Sequence, residues 1–278
     1  MECPIPKIEK IEKLLLATDG SKYCDDATRE AIYLAKACGS KLFVITVIKI
    51  NSELIAQAPG VVEKMGKEAR KQLETVQSQA KNEGVDCEIL IREGEEPHEY
   101  IVDEAAKHKT GMIVVGRHGR TGLMRAMMGS VAGKVIGYTL CRVLVVPKDT
   151  KLSFEKLLIA TDGSMHSEFA TQEAISIAKR SGSTLMALSV AKKDENLAMA
   201  KECVEMVKKE AEKASIKVDP VVRTGVPHDV IVKTAVQEDI GLIIIGSHGR
   251  TGLSKLLMGS TTERVIGNAK NPVLVWKL

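Results

Sequence analysis

One pattern of fifteen residues occurs twice in this sequence and sets the strongest limit on its fold. GRHGRTGLMRAMMGS runs from Gly116 to Ser130, and GSHGRTGLSKLLMGS runs from Gly246 to Ser260. Each copy follows a short apolar run and precedes a helical pattern, which predicts a strand, a glycine-rich loop and a helix in that order. The chain is therefore expected to contain the same unit twice.

The repeat extends beyond the loops to the whole chain of 278 residues. LLLATDGS begins at Leu14 and LLIATDGS begins 143 residues later, but by Pro97 and its counterpart the offset has fallen to 130. We therefore predict two domains, residues 1–150 and 151–278, the second of them shorter. The patterns place this deficit mainly between the second strand and the second helix of the second domain.

The repeated glycines and serines are residue types that can hold phosphate. Gly116, Gly119 and Gly129 let backbone N–H groups approach a ligand, and Ser130 stands where a helix begins. The serine hydroxyl is also able to cap that helix. One Gly-Ser pair before a helix would favour ordinary turn and cap chemistry. The second matching loop shifts the balance toward phosphate.

Together with Asp19 and Asp162, which end the first strand of each half, these loops make the chain resemble a tandem universal stress protein of the ATP-binding branch. The resemblance covers essentially the whole chain. It implies two doubly wound α/β domains, each with a five-stranded parallel sheet of order 3-2-1-4-5 and helices on both faces. It also implies a pseudo-dimer of the two halves through their last strands, 142–146 and 272–276, and suggests a homodimer of two chains.

The resemblance assigns equivalent nucleotide-binding residues to the two halves. Strand-end residues would hold the adenine, and the glycine loop would hold the ribose and phosphates of ATP or AMP. In the first half these residues are Ala17, Thr18, Asp19, Val47, Val115, Gly116, His118, Gly119, Arg120, Gly129, Ser130 and Val131. In the second half they are Ala160, Thr161, Asp162, Val190, Ile245, Gly246, His248, Gly249, Arg250, Gly259, Ser260 and Thr261.

Several of these residues have an ordinary structural alternative. Asp19 and Asp162 could accept ribose hydroxyls or lie near a phosphate-bound Mg²⁺, but Asp-Gly-Ser also favours an Asx turn that opens a helix. The strand-end residues could simply pack within the sheet. The loop histidines and arginines could contact phosphate or face solvent, and hydrogen bonding within the loop is favoured over catalysis for His118 and His248.

Other phosphate-binding motifs are missing from the sequence. There is no G-x-x-x-x-G-K-[ST], which argues against a P-loop ATPase. The glycines follow the fourth strand instead of the first, which argues against NAD. A response-regulator receiver carries its phosphoacceptor aspartate after the third strand. The sequence there is IREGEEP from Ile91 and VRTGVP from Val222, and neither segment contains an aspartate, which argues against a receiver.

Composition excludes further classes of function. The net charge is only +4 and both signs are interspersed, so we expect no nucleic-acid partner. No apolar run is long enough to cross a membrane and the N-terminal MECPIPKIEK has no long apolar segment, so a cytoplasmic location is expected. The six cysteines form no CxxC pair, and Ser167 stands opposite Cys24 in the repeat, so cysteine chemistry is not expected to be central. Without an export signal, reduced thiols are expected.

Three hypotheses of function follow. The first is an adenine-nucleotide-binding module that regulates a stress response, with no catalytic residue, no metal site of its own and at most weak ATPase activity. The second is a slow ATP hydrolase or nucleotidyl-transfer enzyme of the adenine nucleotide α-hydrolase-like group, with Asp19 or His118 as activator. The third is a structural interaction protein that binds no nucleotide.

Overall fold

Strands from both halves of the chain join in one sheet. The computed structural model describes residues 11–51, 53, 58–119, 128–250 and 258–277, and within these residues the sheet has ten strands. The elements of the first half are β1 (Lys13–Ala17), α1 (Asp25–Cys38), β2 (Lys41–Lys49), α2 (Pro59–Asn82), β3 (Cys87–Gly94), α3 (Pro97–His108), β4 (Met112–Gly116), α4 (Ser130–Tyr138) and β5 (Arg142–Val146).

The second half repeats this order of elements. It comprises β6 (Lys156–Ala160), α5 (Met165–Ser181), β7 (Thr184–Ala191), a 3₁₀ turn (Asp194–Asn196), α6 (Leu197–Lys213), β8 (Val218–Thr224), α7 (Pro227–Gln237), β9 (Leu242–Gly246), α8 (Ser260–Asn268) and β10 (Val273–Trp276). None of the helices in the described part of the chain is long and apolar enough to cross a membrane.

The strand order confirms the predicted topology. The sheet runs β3-β2-β1-β4-β5-β10-β9-β6-β7-β8, so each half has the order 3-2-1-4-5. Neighbours within a half are parallel, whereas β5 and β10 pair antiparallel with Val145 opposite Val273. The last strands therefore meet as expected for the pseudo-dimer. Because this one pairing is antiparallel, the carboxyl ends of the two sets of parallel strands lie at opposite edges of the sheet.

Aliphatic side chains bury both faces of the sheet. One cluster packs β1 and β6 residues such as Leu14 and Leu157 against α1, α2, α5 and α6. The other packs Leu15 and Leu158 against α3, α4, α7 and α8. All four leucines are fully buried, and each contributes about 2 kcal/mol of hydrophobic stabilisation. Both clusters continue from one half into the other, so the halves share their cores.

The shorter second half loses residues in a helix as well as in a connection, so the predicted location of the deficit was only partly right. Helix α2 has 24 residues and α6 has 17. The repeat places Leu197, the first residue of α6, opposite Lys67, so the extra turns of α2 lie at its N-terminal end. There Val62 and Met65 cover Ile48 and the end of β2. In the second half the shorter α6 packs against the equivalent strands, β7 and β8.

Two cationic side chains cross between the halves and contact carbonyl groups at the C-terminal ends of helices. Arg117, just after β4, donates from Nη1 to the carbonyl of Ala269 at the end of α8, at 2.6 Å. Lys277, just after β10, donates to the carbonyl of Gly137 in the last turn of α4. A helix C-terminus favours positive charge, so these reciprocal contacts suit both partners. Burial lowers the pKa of Arg117 and of Lys277, which marks the cost of desolvating these cations at the junction.

An ion pair also crosses the junction. Arg142 of β5 lies 3.1 Å from Glu173 of α5, and their side chains are only 19% and 6% exposed. The guanidinium also stacks over the ring of Trp276, 4.6 Å from its centroid.

We expect Glu173→Ala to lower the free energy of unfolding by about 3 kcal/mol, because it leaves the Arg142 charge in a desolvated place without its carboxylate. Urea denaturation would measure the change. The control is Glu210→Ala, which removes the exposed pair with Lys213 and should cost less than about 0.5 kcal/mol. Equal effects of the two substitutions would contradict this account of the junction.

Candidate functional site

The carboxyl ends of β1 and β4 mark the candidate site of the first half, and those of β6 and β9 mark the site of the second. In each half these two strands are neighbours from which the chain continues in opposite directions across the sheet, as the strand order shows. Ligands of doubly wound sheets bind at such a switch point, because no connection covers the crevice there. The predicted residues that the structure describes gather around these two places.

Protein atoms lie close to the positions where Cβ atoms of the loop glycines would be. A Cβ atom on Gly119 would lie 2.6 Å from Oδ2 of Asp19, and one on Gly249 would lie 2.5 Å from Oδ2 of Asp162. Gly129 donates its N–H to the carbonyl of Arg117 at 2.8 Å, and a Cβ there would lie 3.1 Å from that same oxygen. Close packing of the loop on itself and on the first turn therefore explains these glycines without reference to a ligand.

The prediction that Ser130 caps its helix was wrong. Gly129 and Gly259 occupy the N-cap positions in extended conformations, and Ser130 and Ser260 are the first residues of α4 and α8. From the first helical position a hydroxyl does not reach the N–H groups one turn on. At both helix starts the N-cap residue is a glycine, which has no side chain to cap the backbone. The exposed serines thus stand beside N–H groups that can receive an anion.

Asp19 and Asp162 form the predicted Asx turns. Oδ1 of each accepts the N–H two residues on, at 2.9 Å from Ser21 and 3.0 Å from Ser164. Oδ2 of Asp162 also accepts the N–H of Arg250 at 3.0 Å, which ties the turn after β6 to the loop after β9. These contacts confirm the Asx turns, but the helices that follow have Cys24 and Ser164 as their N-cap residues, so the expectation that the aspartates open them was wrong. Contact of the aspartates with ribose stays a prediction.

The same contacts bear on Mg²⁺. Both oxygens of Asp162 accept backbone hydrogen bonds, so the carboxylate is already engaged by the protein. Among the residues that the structure describes, no three His, Cys, Asp or Glu side chains converge as metal ligands would. The described residues therefore do not form a dedicated Mg²⁺ site, and the ion would have to arrive on the phosphates of a nucleotide.

The strand-end residues divide into buried and partly exposed positions. Val47 and Val190 are half-buried near the ends of β2 and β7 and pack at the margin of the core. Four others are core side chains, as the packing alternative expected, namely Ala17, Val115, Ala160 and Ile245. Thr18 and Thr161 use their hydroxyls inside the turn, accepting the N–H of Gly20 and Gly163. The two valines are therefore the predicted strand-end residues that leave apolar surface partly exposed.

The structure describes only one of the two predicted loop arginines. Arg120 lies outside the described residues, whereas Arg250 is described. The guanidinium of Arg250 reaches α6, where Nη2 lies 3.5 Å from Sγ of Cys203 and Nη1 contacts Sδ of Met199. Val131 and Thr261 follow the first residues of their helices, and the valine is exposed. Gly116 and Gly246 end their strands against the start of α1 and α5.

Cys24 lies inside the first site. Its Sγ is 3.4 Å from Oδ1 of Asp19, and burial, with the Asp19 charge, raises the pKa of the thiol to about 11. The thiol therefore stays protonated near neutral pH and is a poor nucleophile. This agrees with the expectation that cysteine chemistry is not central.

Sequence reasoning missed two residues of the second site. Ser247 is fully buried, and its Oγ lies 3.2 Å from Nδ1 of His166 and 3.1 Å from Nδ1 of His248. In the first half Tyr23 and Arg117 occupy the positions of His166 and Ser247. Comparing the two copies position by position gives the signal, since the rest of the first turn is closely repeated.

His166 is held in its neutral form. Burial lowers its pKa, nearby His248 and Lys277 act in the same direction, and Asp162 opposes them. When the protein unfolds, this histidine regains its ordinary pKa of about 6.5. The unfolded state therefore binds more protons, so stability is lost as the pH falls below that value.

We expect the ligand-free protein to melt at a lower temperature at pH 5.5 than at pH 7.5, and the decrease to be smaller in His166→Tyr. Tyrosine is the residue that the first half carries at this position, so the fold should accept it. Thermal denaturation at both pH values would measure the difference. An identical decrease in the variant would show that His166 does not contribute to the acid sensitivity.

Comparisons with known proteins agree on one family. The sequence model of the universal stress protein family matches residues 10–147 and 153–277. Universal stress protein MJ0577 of Methanocaldococcus jannaschii is 47% identical over 78 residues, a stretch that spans 28% of this chain and 48% of that protein. A universal stress protein of Mycolicibacterium smegmatis is 27% identical over 289 residues and matches 94% of this chain and 96% of its own.

A solved structure shows the same fold over nearly the whole length. A universal stress protein from Archaeoglobus fulgidus superposes with a TM-score of 0.79 at 21% identity, covering 96% of this chain and 98% of its own. Since the family model matches twice and the two matches cover most of the sequence, this chain belongs to the universal stress protein family and carries two domains of that family.

Proposed function

We propose that each half binds one adenine nucleotide, ATP or AMP, and that the chain acts as a nucleotide-dependent regulatory module in a stress response. The observation that carries this proposal is the pair of helix starts at Ser130 and Ser260. Each follows a glycine loop, has a glycine as its N-cap residue and stands beside a switch point of the sheet. Membership of the universal stress protein family and the resemblance to its ATP-binding branch support the same ligand.

The phosphates would lie at the starts of α4 and α8. There the first backbone N–H groups and the serine hydroxyls can donate hydrogen bonds, and the helix dipole favours negative charge. The adenine would lie against Val47 or Val190, the partly exposed members of the strand ends. Gly119 and Gly249 keep the loop close to the aspartates, so the ribose would pass near Asp19 or Asp162.

The described contacts favour binding over catalysis. A general base must lie within hydrogen-bond reach of the proton that it abstracts. The described contacts of Asp162 and of Nδ1 of His248 are with the protein itself, since both Asp162 oxygens accept backbone N–H groups and Nδ1 is within hydrogen-bond distance of Ser247. Weak ATPase activity is therefore the most that we propose for this site.

Two substitutions test the proposal without weakening the helices. Ser130→Asp and Ser260→Asp each put a carboxylate at an exposed helix start, where negative charge stabilises the helix but repels phosphate. We expect the wild type to bind two ATP per chain, each single variant to bind one, and the double variant to bind ATP at least tenfold more weakly at both sites. Isothermal titration calorimetry would give the stoichiometry and affinity.

Ser78→Asp is the matched control, because Ser78 is exposed on α2, away from both helix starts. It should leave both sites intact. Mass spectrometry of the supernatant after denaturing purified protein would identify any nucleotide that co-purifies. No nucleotide there and no binding of ATP or AMP in the titration would reject the proposal and favour an interaction protein.

A further inference from the structure

The two candidate sites differ most in a hydrogen-bonded cluster of the second half. His166, Ser247 and His248 form it, with the hydroxyl between the two Nδ1 atoms and the imidazole rings 5.1 Å apart between centroids. The first half has one loop histidine too, His118, but Tyr23 stands in place of His166. The second site therefore has one titratable imidazole more than the first.

The cluster can hold one added proton without losing a hydrogen bond. A hydroxyl has one proton, so Ser247 donates to one Nδ1 and accepts from the other. One imidazole therefore carries its proton on Nδ1 and the other carries its proton on Nε2. An added proton enters at Nε2 of the ring that already carries its proton on Nδ1, and both contacts to Ser247 stay in place. A second added proton would need Nδ1 of the other ring, which already accepts the hydroxyl.

The cluster adjoins the proposed phosphate position. His166 packs against the end of β9, where a Cβ on Gly246 would lie 2.7 Å from the carbonyl carbon of His166. His248 lies in the loop that leads to α8, and Gly259 closes that loop by donating to the carbonyl of Ser247 at 2.9 Å. An anion at the start of α8 would therefore favour a charged imidazole in this cluster.

We propose that the second half binds its nucleotide together with a proton that the first half does not take up, and that the His166–Ser247–His248 cluster holds this proton. The inference rests on the proposed function, since it concerns the ligand of the same site. The proton comes from solvent and ends on an imidazole nitrogen. In the first half, Tyr23 and Arg117 stand at the positions of His166 and Ser247, so that half lacks this pair of imidazoles.

The charges around His166 fit this assignment. Lys277 from the end of β10 and His248 disfavour a charged ring, and Asp162 from the turn after β6 favours it. Burial also lowers the pKa of His166, so the ring is neutral before the ligand arrives. The negative phosphates would reverse this balance, because they add to the field of Asp162.

The experiment compares the halves within one chain. In Ser130→Asp only the second half would bind ATP, and in Ser260→Asp only the first. Calorimetry at pH 6, 7 and 8, in buffers with different ionisation enthalpies, gives the protons taken up per ATP bound. Free ATP titrates in this range equally in both experiments, and the His166 variants distinguish protons held by the protein from protons held by the bound phosphates.

We expect the second half to take up more protons than the first. Its affinity should therefore rise more steeply as the pH falls, by up to tenfold per pH unit for one extra proton. His166→Tyr and, separately, His166→Gln in the Ser130→Asp background should remove the difference. Equal uptake by the two halves, or uptake that persists in both His166 variants, would overturn the inference. Binding at neither half would overturn it together with the proposed function.

Discussion

The antiparallel pairing of β5 with β10 is the contact on which the rest of the architecture depends. It joins two parallel sheets through strands whose residues are nearly all buried, and it leaves neither of these strands as an open edge. It also reverses the direction of the second sheet relative to the first. The two candidate sites consequently lie at opposite edges, and each adjoins the junction. Arg117 in one loop and Lys277 beside the other each reach a helix end of the opposite half.

The two halves keep their backbone in common and differ in the side chains around the sites. Both loops are closed by the same glycine contacts, and both aspartates form the same turn. Around this shared frame the first half has Cys24 and a longer α2, whereas the second half has the histidine cluster. This pattern fits our proposals that the two sites share a ligand class and that they differ in their response to pH.

Much of the fold could be predicted because its signals are local. Short apolar runs and helical patterns indicate strands and helices from neighbouring residues alone, and Pro97 and Pro227 stand at the first positions of α3 and α7, where proline favours a helix start. The strand order was expected from the family resemblance, and the structure confirms it. The helix cap at Ser130 was predicted wrongly, because one residue of register decides whether a hydroxyl reaches an N–H group. The boundary between the domains after residue 150 stays a prediction, as do the ligand contacts of the site residues.

The sequence by itself determined that the chain is a repeat, that each copy is an α/β unit and that glycine loops follow the fourth strand of each. Repetition, periodicity and glycine are properties of neighbouring residues, so they are visible without a structure. Only the tertiary structure decided which atoms need the glycines, that Asp162 binds backbone N–H groups, and that His166 meets His248 through Ser247. The contacts of Asp162 with Arg250 and of His166 with Ser247 join residues 88 and 81 positions apart in the chain, and the packing of β6 beside β9 brings them together.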